Sequence, residues 1–440
     1  MLRRLRLSLA FVLLAPALAQ AQDGLPASHT DPLVIDVGGR ATTSLDGRWH
    51  TWVYFGERGE KKEAFGVLQR FYGELEAHAT DGTAGEQAPA PPPPSTDTVP
   101  PALAAPGPNT PGSIWRDTDG AAIQAHGGGM LKVGGVWYWY GENHRLGFGN
   151  KVGISAYSSR DLAHWTNEGV VLPKDSLPER FGDRGVAERP KVLYNALTRR
   201  YVMWMHLDAN RYTDASAGVA VADAPTGPFH VVRIFRPITY DYGYAPDDEA
   251  KLHEAERGNT FRDMALFQDG DGTAWVLYAS ESNRTLYIVR LDDTYTDIQR
   301  PTVEGRTWAR VLVDRRREAP APFKVGDKYY LITSGQSGWA PNAARYHVAD
   351  RMLGPWKTVG NPMVGADSAT TFGAQSTFVL PLPSVCARCF VFMADRWNPK
   401  ALERSSYLWL PFVVDEDGRV RIRNRERWGL QTFKEMERAR

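Results

Sequence analysis

The chain has 440 residues, with 52 Lys or Arg against 51 Asp or Glu and a formal charge of +1 at pH 7. So even a balance argues against nucleic acid or an anionic membrane surface as partner. The 14 Trp, 18 Tyr and 17 Phe are enough to fill a large core, and most of them belong there.

Residues 1–21 carry a basic start at Arg3, Arg4 and Arg6, an apolar run from Leu7 to Leu18, and small-residue cleavage signatures ending at Ala19 and Ala21. This is the pattern of a removable export signal, and the apolar run is too short to span a bilayer. Cleavage after Ala21 removes three Arg and takes the formal charge from +1 to −2. The expected location is secreted or periplasmic. Residues 22–82 hold a strand-like stretch followed by an amphipathic helical pattern over EKKEAFGVLQRFYGELEAH, and their role is open. Residues 83–112 are rich in Pro, Ala, Gly and Thr, with four prolines at Pro91–Pro94, and form a linker of polyproline character.

From residue 113 to 430 the chain repeats one grammar. A strand bearing an unusual polar group crosses a short turn into an aromatic strand, and a third strand follows. The aromatic second strands are VWYWYGE (Val136–Glu142), YVMWMHLD (Tyr201–Asp208), TAWVLYAS (Thr273–Ser280), KYYLITS (Lys328–Ser334) and CFVFMADRW (Cys389–Trp397). Third strands are expected over Ser155–Trp165, Val219–Phe229, Tyr287–Tyr295, Tyr346–Trp356 and Ser406–Val414. The fold class is therefore all-β, a five-bladed β-propeller preceded by a small N-terminal segment and a Pro-rich linker. The acidic insertion Asp241–Asn259 is expected as a surface loop, Gln268–Gly272 as a hairpin turn, and Cys386 with Cys389 as a short disulfide pinning a turn.

In a propeller the first strand of each blade lines the central axis, so polar residues there converge. Those strands carry Gln124 and His126, Glu188, Asp263, Glu318 and Gln375, a set of carboxylates and carboxamides. It suits proton transfer to a glycosidic oxygen, with one carboxyl kept protonated as acid. Glu318 is the leading acid and Asp263 a neighbour that raises its pKa or orients it. The structural alternatives are ion pairs: Glu318 with Arg316 or Arg317, Asp263 with Arg262, and Glu188 with Arg189 or Lys191. Gln375 by itself reads as a hydrogen-bonding core residue. Glu142, at the end of an aromatic strand, is a further sugar-binding candidate, and Trp339, in the loop GQSGWAPN, is the leading stacking platform.

The motifs WRDTDGAAIQAHGGG, VWYWYGE, ERPKVLYN, FRDMALFQDGDG, REAPA, GWAPN and GAQST together resemble glycoside hydrolase family 43, and within it the exo-β-1,3-galactanase-like subfamily 24. The resemblance runs from Trp115 to about Trp397. It implies an inverting, exo-acting enzyme releasing galactose from the β-1,3-galactan backbone of arabinogalactan. Most of the family places an aspartate base on the first blade, where this chain has Gln124, Ala125 and His126; the subfamily shares that departure. The resemblance implies Glu318 as general acid, Asp263 as its modulator and Gln375 as the group that positions or activates water. It implies Glu188 and Glu304 as ligands of the terminal sugar, with Gln124, His126, Glu142 and Trp339 as further substrate contacts. No cofactor is required; the resemblance allows calcium or another ion in the channel, as a structural ion, with His126 as a possible participant in holding it. The expected partner is a polysaccharide or oligosaccharide, with no nucleic acid, no membrane after signal cleavage, and a monomeric state. The competing expectations are another family 43 glycosidase (arabinofuranosidase, xylosidase or galactosidase) and a carbohydrate-binding propeller without turnover.

Overall fold

The computed structural model describes residues 110–243 and 254–438, and the backbone of two short antiparallel strands, Thr43–Leu45 and Trp49–Thr51. The chain divides into two compact units, Met1–Ala90 and Pro91–Arg440. The export signal, the helical pattern at 60–78 and most of the linker lie outside the described residues.

The second unit is a five-bladed propeller. Blade I is His126–Val133, Val136–Glu142, Gly153–Ser159 and Thr166–Pro173, and blade II is Val186–Asn195, Arg200–Asp208, Ser216–Ala222 and His230–Phe235. Blade III is Met264–Gln268, Ala274–Ser280, Thr285–Arg290 and Trp308–Val311, and blade IV is Arg317–Val325, Lys328–Gly335, Arg345–Ala349 and Lys357–Gly360. Blade V has three strands, Gln375–Pro381, Cys389–Arg396 and Ser406–Val413. Each blade is an antiparallel meander, and each innermost strand packs between those of its two neighbours, which closes the ring. In blade I the turn is Gly134-Gly135, with φ of +55° and +82° between paired Val133 and Val136. Two successive positive φ angles are what a two-residue hairpin needs to match strand twist.

Strand alternation divides the aromatic residues among the interblade spaces. Neighbouring Trp139 and Tyr140 point to opposite faces, one into the space between blades V and I, the other into that between I and II. Tyr278 and Leu277 divide likewise between the II/III and III/IV spaces, and Met393 and Phe392 between V/I and IV/V. The V/I space, where the ring closes, holds Trp115, Trp139, Trp165 and Trp409, all buried, together with Phe433 of the C-terminal helix Leu430–Arg438. The Tyr407 hydroxyl donates to the Ile123 carbonyl and accepts the Ala125 N–H, tying blade V to the segment that enters blade I. Beyond blade V, Ile422–Arg423 pairs in parallel with Met363–Val364.

Two expectations change. The third strands stop short of their expected tails: blade I's ends at Ser159, because Asp161 Oδ1 accepts the N–H groups of Ala163 and His164 and turns the chain. The end of the acidic insertion is not a surface loop: Glu254 and Asn259 are buried and hydrogen-bonded to each other at 3.1 Å. The hairpin turn expected at Gln268–Gly272 is in place between Met264–Gln268 and Ala274–Ser280, where the Asp269 carboxylate accepts Lys324 Nζ at 2.6 Å and the Tyr329 hydroxyl. The disulfide Cys386–Cys389 forms in the turn between the first two strands of blade V.

Candidate active site

The innermost strands are interrupted where they enter the ring. Register shifts fall between His126 and Gly129, Glu188 and Lys191, Glu318 and Ala321, and Ser376 and Phe378. Such bulges re-aim side chains and backbone N–H groups. Gly127, Arg189 and Ala319 have φ of +58°, +56° and +51°. For the two non-glycine residues this conformation costs about 1–3 kcal/mol each. At all three the N–H turns to a carboxylate of the preceding blade: Gly127 to Asp395 Oδ2 at 2.6 Å, Arg189 to Glu142 Oε1 at 2.9 Å, and Ala319 to Asp263 Oδ2 at 3.1 Å. Each bulge thus holds a neighbouring carboxylate in a fixed place around the axis.

The result is a cleft of about 240 Å³ lined by Glu142, Glu188, Asp263, Glu318, Gln375 and Trp339, with Arg189, His206, Tyr212, Arg262, Asn283, Gly338 and Trp397. Burial, reinforced by the charge of Asp263, pushes the Glu318 carboxyl up to about 8. Arg189 and the Gln375 amide act against that rise and do not cancel it. Gln375 Nε2 donates to Glu318 Oε1 at 3.1 Å and to Ser334 Oγ at 3.0 Å. The Gln375 carbonyl oxygen accepts from Arg189 at 2.5 Å and from Trp397 Nε1 at 3.0 Å. Arg189 also pairs with Asp263 at 3.1 Å and donates to the Ser376 carbonyl at 2.8 Å.

Glu188 also lines the cleft. Its two oxygens meet the Tyr212 hydroxyl at 2.7 Å and His206 Nδ1 at 3.1 Å, and His206 Nε2 reaches Asp208 at 3.0 Å. Burial alone would lower the His206 pKa, but its hydrogen bonds to Asp208 and Glu188 outweigh that and bring it up to about 9. His206 is therefore an imidazolium between two carboxylates, and both stay ionised. Trp339 stands half-buried at the mouth with its ring edge-on to Trp397, centroids 5.0 Å apart.

Of the sequence candidates, Glu142, Glu188, Asp263, Glu318, Gln375 and Trp339 come together. Gln124 and His126 do not line the cleft. The Gln124 amide is buried and spent on the Glu403 carbonyl and the His144 N–H, and His126 is fully buried and stacked on Tyr407, centroids 4.8 Å apart. Glu304 is exposed beside the outermost strand of blade III, bridging to Trp308, where a propeller is farthest from its axis. The ion-pair alternatives also change: Asp263 pairs with Arg189 and not Arg262, whose guanidinium donates to the Tyr212 carbonyl. Arg317 turns away from Glu318 to Thr333. Trp397, Tyr212, His206 and Asn283 also line the cleft and carry no distinguishing sequence pattern, apart from ADRW, which places Trp397 at the end of an aromatic strand. For calcium, the only group of three or more His, Cys, Asp or Glu residues among the described residues whose ligand atoms all lie within 4.8 Å of one another is Cys386, Cys389 and Glu437. Its sulfurs are joined in the disulfide and offer no thiolate, and hard cations favour oxygen ligands.

A carboxyl whose pKa is raised by burial and by a neighbouring carboxylate, in a propeller cleft with aromatic walls, suits protonation of a glycosidic oxygen. The model of glycosyl hydrolases family 43 matches residues 128–377, and the chain belongs to that family and is a glycoside hydrolase. It is similar to the family 43 β-1,3-galactosidase BT3683 solved with galactodeoxynojirimycin (40% identity, TM-score 0.66, covering 73% of this chain and 99% of that one). It is similar also to the exo-β-1,3-galactanase Pc1,3Gal43A of Phanerochaete chrysosporium solved with galactose (34%, TM-score 0.60, 71% and 66%). A third similar structure is the exo-β-1,3-galactanase 1,3Gal43A of Clostridium thermocellum (34%, TM-score 0.61, 71% and 64%). A comparison with curated protein sequences gives no match.

Proposed function

We propose that this hydrolase is an exported, exo-acting β-1,3-galactanase that removes galactose from the galactan backbone of arabinogalactan with inversion. The observation that carries the chemistry is the Glu318 carboxyl, held protonated to about pH 8 in the cleft, first by burial and then by Asp263. The substrate rests on the β-1,3-galactosidase and exo-β-1,3-galactanases that the chain resembles at 34–40% identity. Glu318 gives its proton to the glycosidic oxygen as the bond to the anomeric carbon breaks. Water adds to that carbon and passes its proton to the solvent, and Glu318, left as a carboxylate, takes a proton back from the solvent, which restores the acid. Asp263 keeps the acid neutral, Glu188 and Glu142 bind sugar hydroxyls, and Trp339 stacks on a ring.

The test is product analysis on linear β-1,3-galactan. Wild type should release galactose as the first and main product, and Glu318→Gln should release none. Products confined to arabinose or xylose from other polysaccharides would replace the substrate; turnover by Glu318→Gln at the wild-type rate would remove the acid.

A further inference from the structure

Behind Glu188 lies a buried pair of charges that the acid chemistry does not use. His206 and Asp208 are 1% and 0% exposed, whereas Glu188 reaches the cleft. His206 Nδ1 lies 3.1 Å from Glu188 Oε2, and its Nε2 lies 3.0 Å from Asp208 Oδ2. A neutral imidazole carries one N–H and one bare nitrogen, so either tautomer would set a lone pair against a carboxylate oxygen, and a flipped ring would set carbons there. The imidazolium alone donates to both. A carboxyl proton does not fill the gap instead. Asp208 Oδ1 accepts the N–H groups of Ala209 at 3.0 Å and Asp214 at 2.6 Å, and Glu188 Oε1 accepts the Tyr212 hydroxyl at 2.7 Å, bonds that favour the ionised form of each. Burial acts to raise both carboxyls, but His206 and their other partners outweigh it and hold both below their usual range.

Asp208 balances the imidazolium inside the fold. The negative charge of Glu188 is then left facing the cleft, with one of its hydrogen-bond positions taken on each oxygen and a second open. The Tyr212 ring that supplies the other clamp is stacked on His206, centroids 6.1 Å apart at 27°. The geometry points to His206, braced by Asp208, as a positioning residue for sugar binding: it fixes the Glu188 side chain and keeps it an acceptor only, so that the cleft takes the terminal sugar through its hydroxyl donors. This rests on Glu188 being a sugar ligand of the proposed galactanase.

Two measurements test it. In protein labelled with ¹⁵N at histidine side chains, the His206 signals, identified by their absence in His206→Gln or His206→Asn, should show protons on both ring nitrogens at pH 7; a single N–H would overturn the inference. This arm needs no sugar, so it fails independently of the galactan assignment. The second arm compares the two variants on linear β-1,3-galactan. The Asn amide nitrogen takes the place of Nδ1 and still donates to Glu188, whereas the Gln amide nitrogen takes the place of Nε2 and donates only towards Asp208. His206→Gln should therefore raise KM at least about 10-fold, the worth of one hydrogen bond to a charged group, with kcat within about 3-fold of wild type. His206→Asn should recover most of that loss, to within about 3-fold of the wild-type KM. Equal KM values in the two variants, or the reverse order, would assign His206 to the packing of blade II alone and overturn the inference.

Discussion

The central channel has two mouths built from the same innermost strands, and they differ in chemistry more than in size. At one mouth lies the cleft of about 240 Å³, walled by Glu142, Glu188, Asp263 and Glu318. At the other lies a larger cavity of about 310 Å³, walled by Met130, Leu266, Phe323, Phe378, Val379 and Phe390. The larger cavity holds no carboxylate with a raised pKa, so volume alone would select the wrong end. Between the two sits Lys191, buried, its ammonium donating to the Gly127 carbonyl at 2.8 Å. Burial, and then the nearby Arg189, brings its pKa down to about 7. The bulges mark the change: before them the backbone is bent to fix carboxylates, and after them the strands pair regularly and pack.

Substitutions at the two ends should therefore separate catalysis from stability. Glu318→Gln should lower kcat on linear β-1,3-galactan by roughly 10³-fold or more, as loss of a general acid does, while the folded state survives. At the other mouth, Phe323 is buried among Tyr330, Phe390 and Phe412. Phe323→Ala should cost about 3–5 kcal/mol in denaturant unfolding and leave kcat of the folded fraction near that of wild type. A kcat loss at Phe323 as large as at Glu318 would erase the distinction between the ends.

The cleft should also carry a stability cost that the apolar mouth lacks. The folded-state pKa of Glu318 is raised from 4.5 to about 8, so its ionisation opposes folding. That penalty is absent below about pH 4.5, grows as pH rises, and is complete above about pH 8. Glu318→Gln should therefore melt at a higher temperature than wild type at pH 8, and the two should converge near pH 4.5. Equal melting temperatures at both pH values would show that Glu318 titrates normally. The smallest effect is expected at the rim: Trp339→Ala should raise KM about 3–10-fold, the worth of one aromatic contact, with kcat little changed.

Much of this architecture is legible locally. The second strands expected at Val136–Glu142 and Lys328–Ser334 are observed as Val136–Glu142 and Lys328–Gly335, because alternation and turn residues are properties of a short window. Glu318, Asp263 and Gln375 stand out for the same reason, as polar residues on strands that otherwise face the axis. What holds them is not local. Arg189 reaches Gln375 across 186 positions of sequence, and no pattern within ERPKVLYN distinguishes that bond, or the ion pair with Asp263, from a salt bridge to neighbouring Glu188. Positive φ at Arg189 and Ala319 has no residue-type signature, unlike the paired glycines at Gly134 and Gly135. Glu304 and His126 show the converse error: a suitable side chain near the right motif, with one placed on the outer edge and the other stacked beneath Tyr407.

The most direct test of the central claim, that Glu318 is an acid kept neutral by its surroundings, is the pH dependence of kcat/KM for wild type and Asp263→Asn on linear β-1,3-galactan. Wild type should lose activity as pH rises through about 8, where Glu318 gives up its proton. Asp263→Asn removes the like charge and leaves Arg189 less neutralised, so both effects lower the Glu318 pKa and the limb should move to lower pH. A basic limb at the same pH in both proteins would contradict the account.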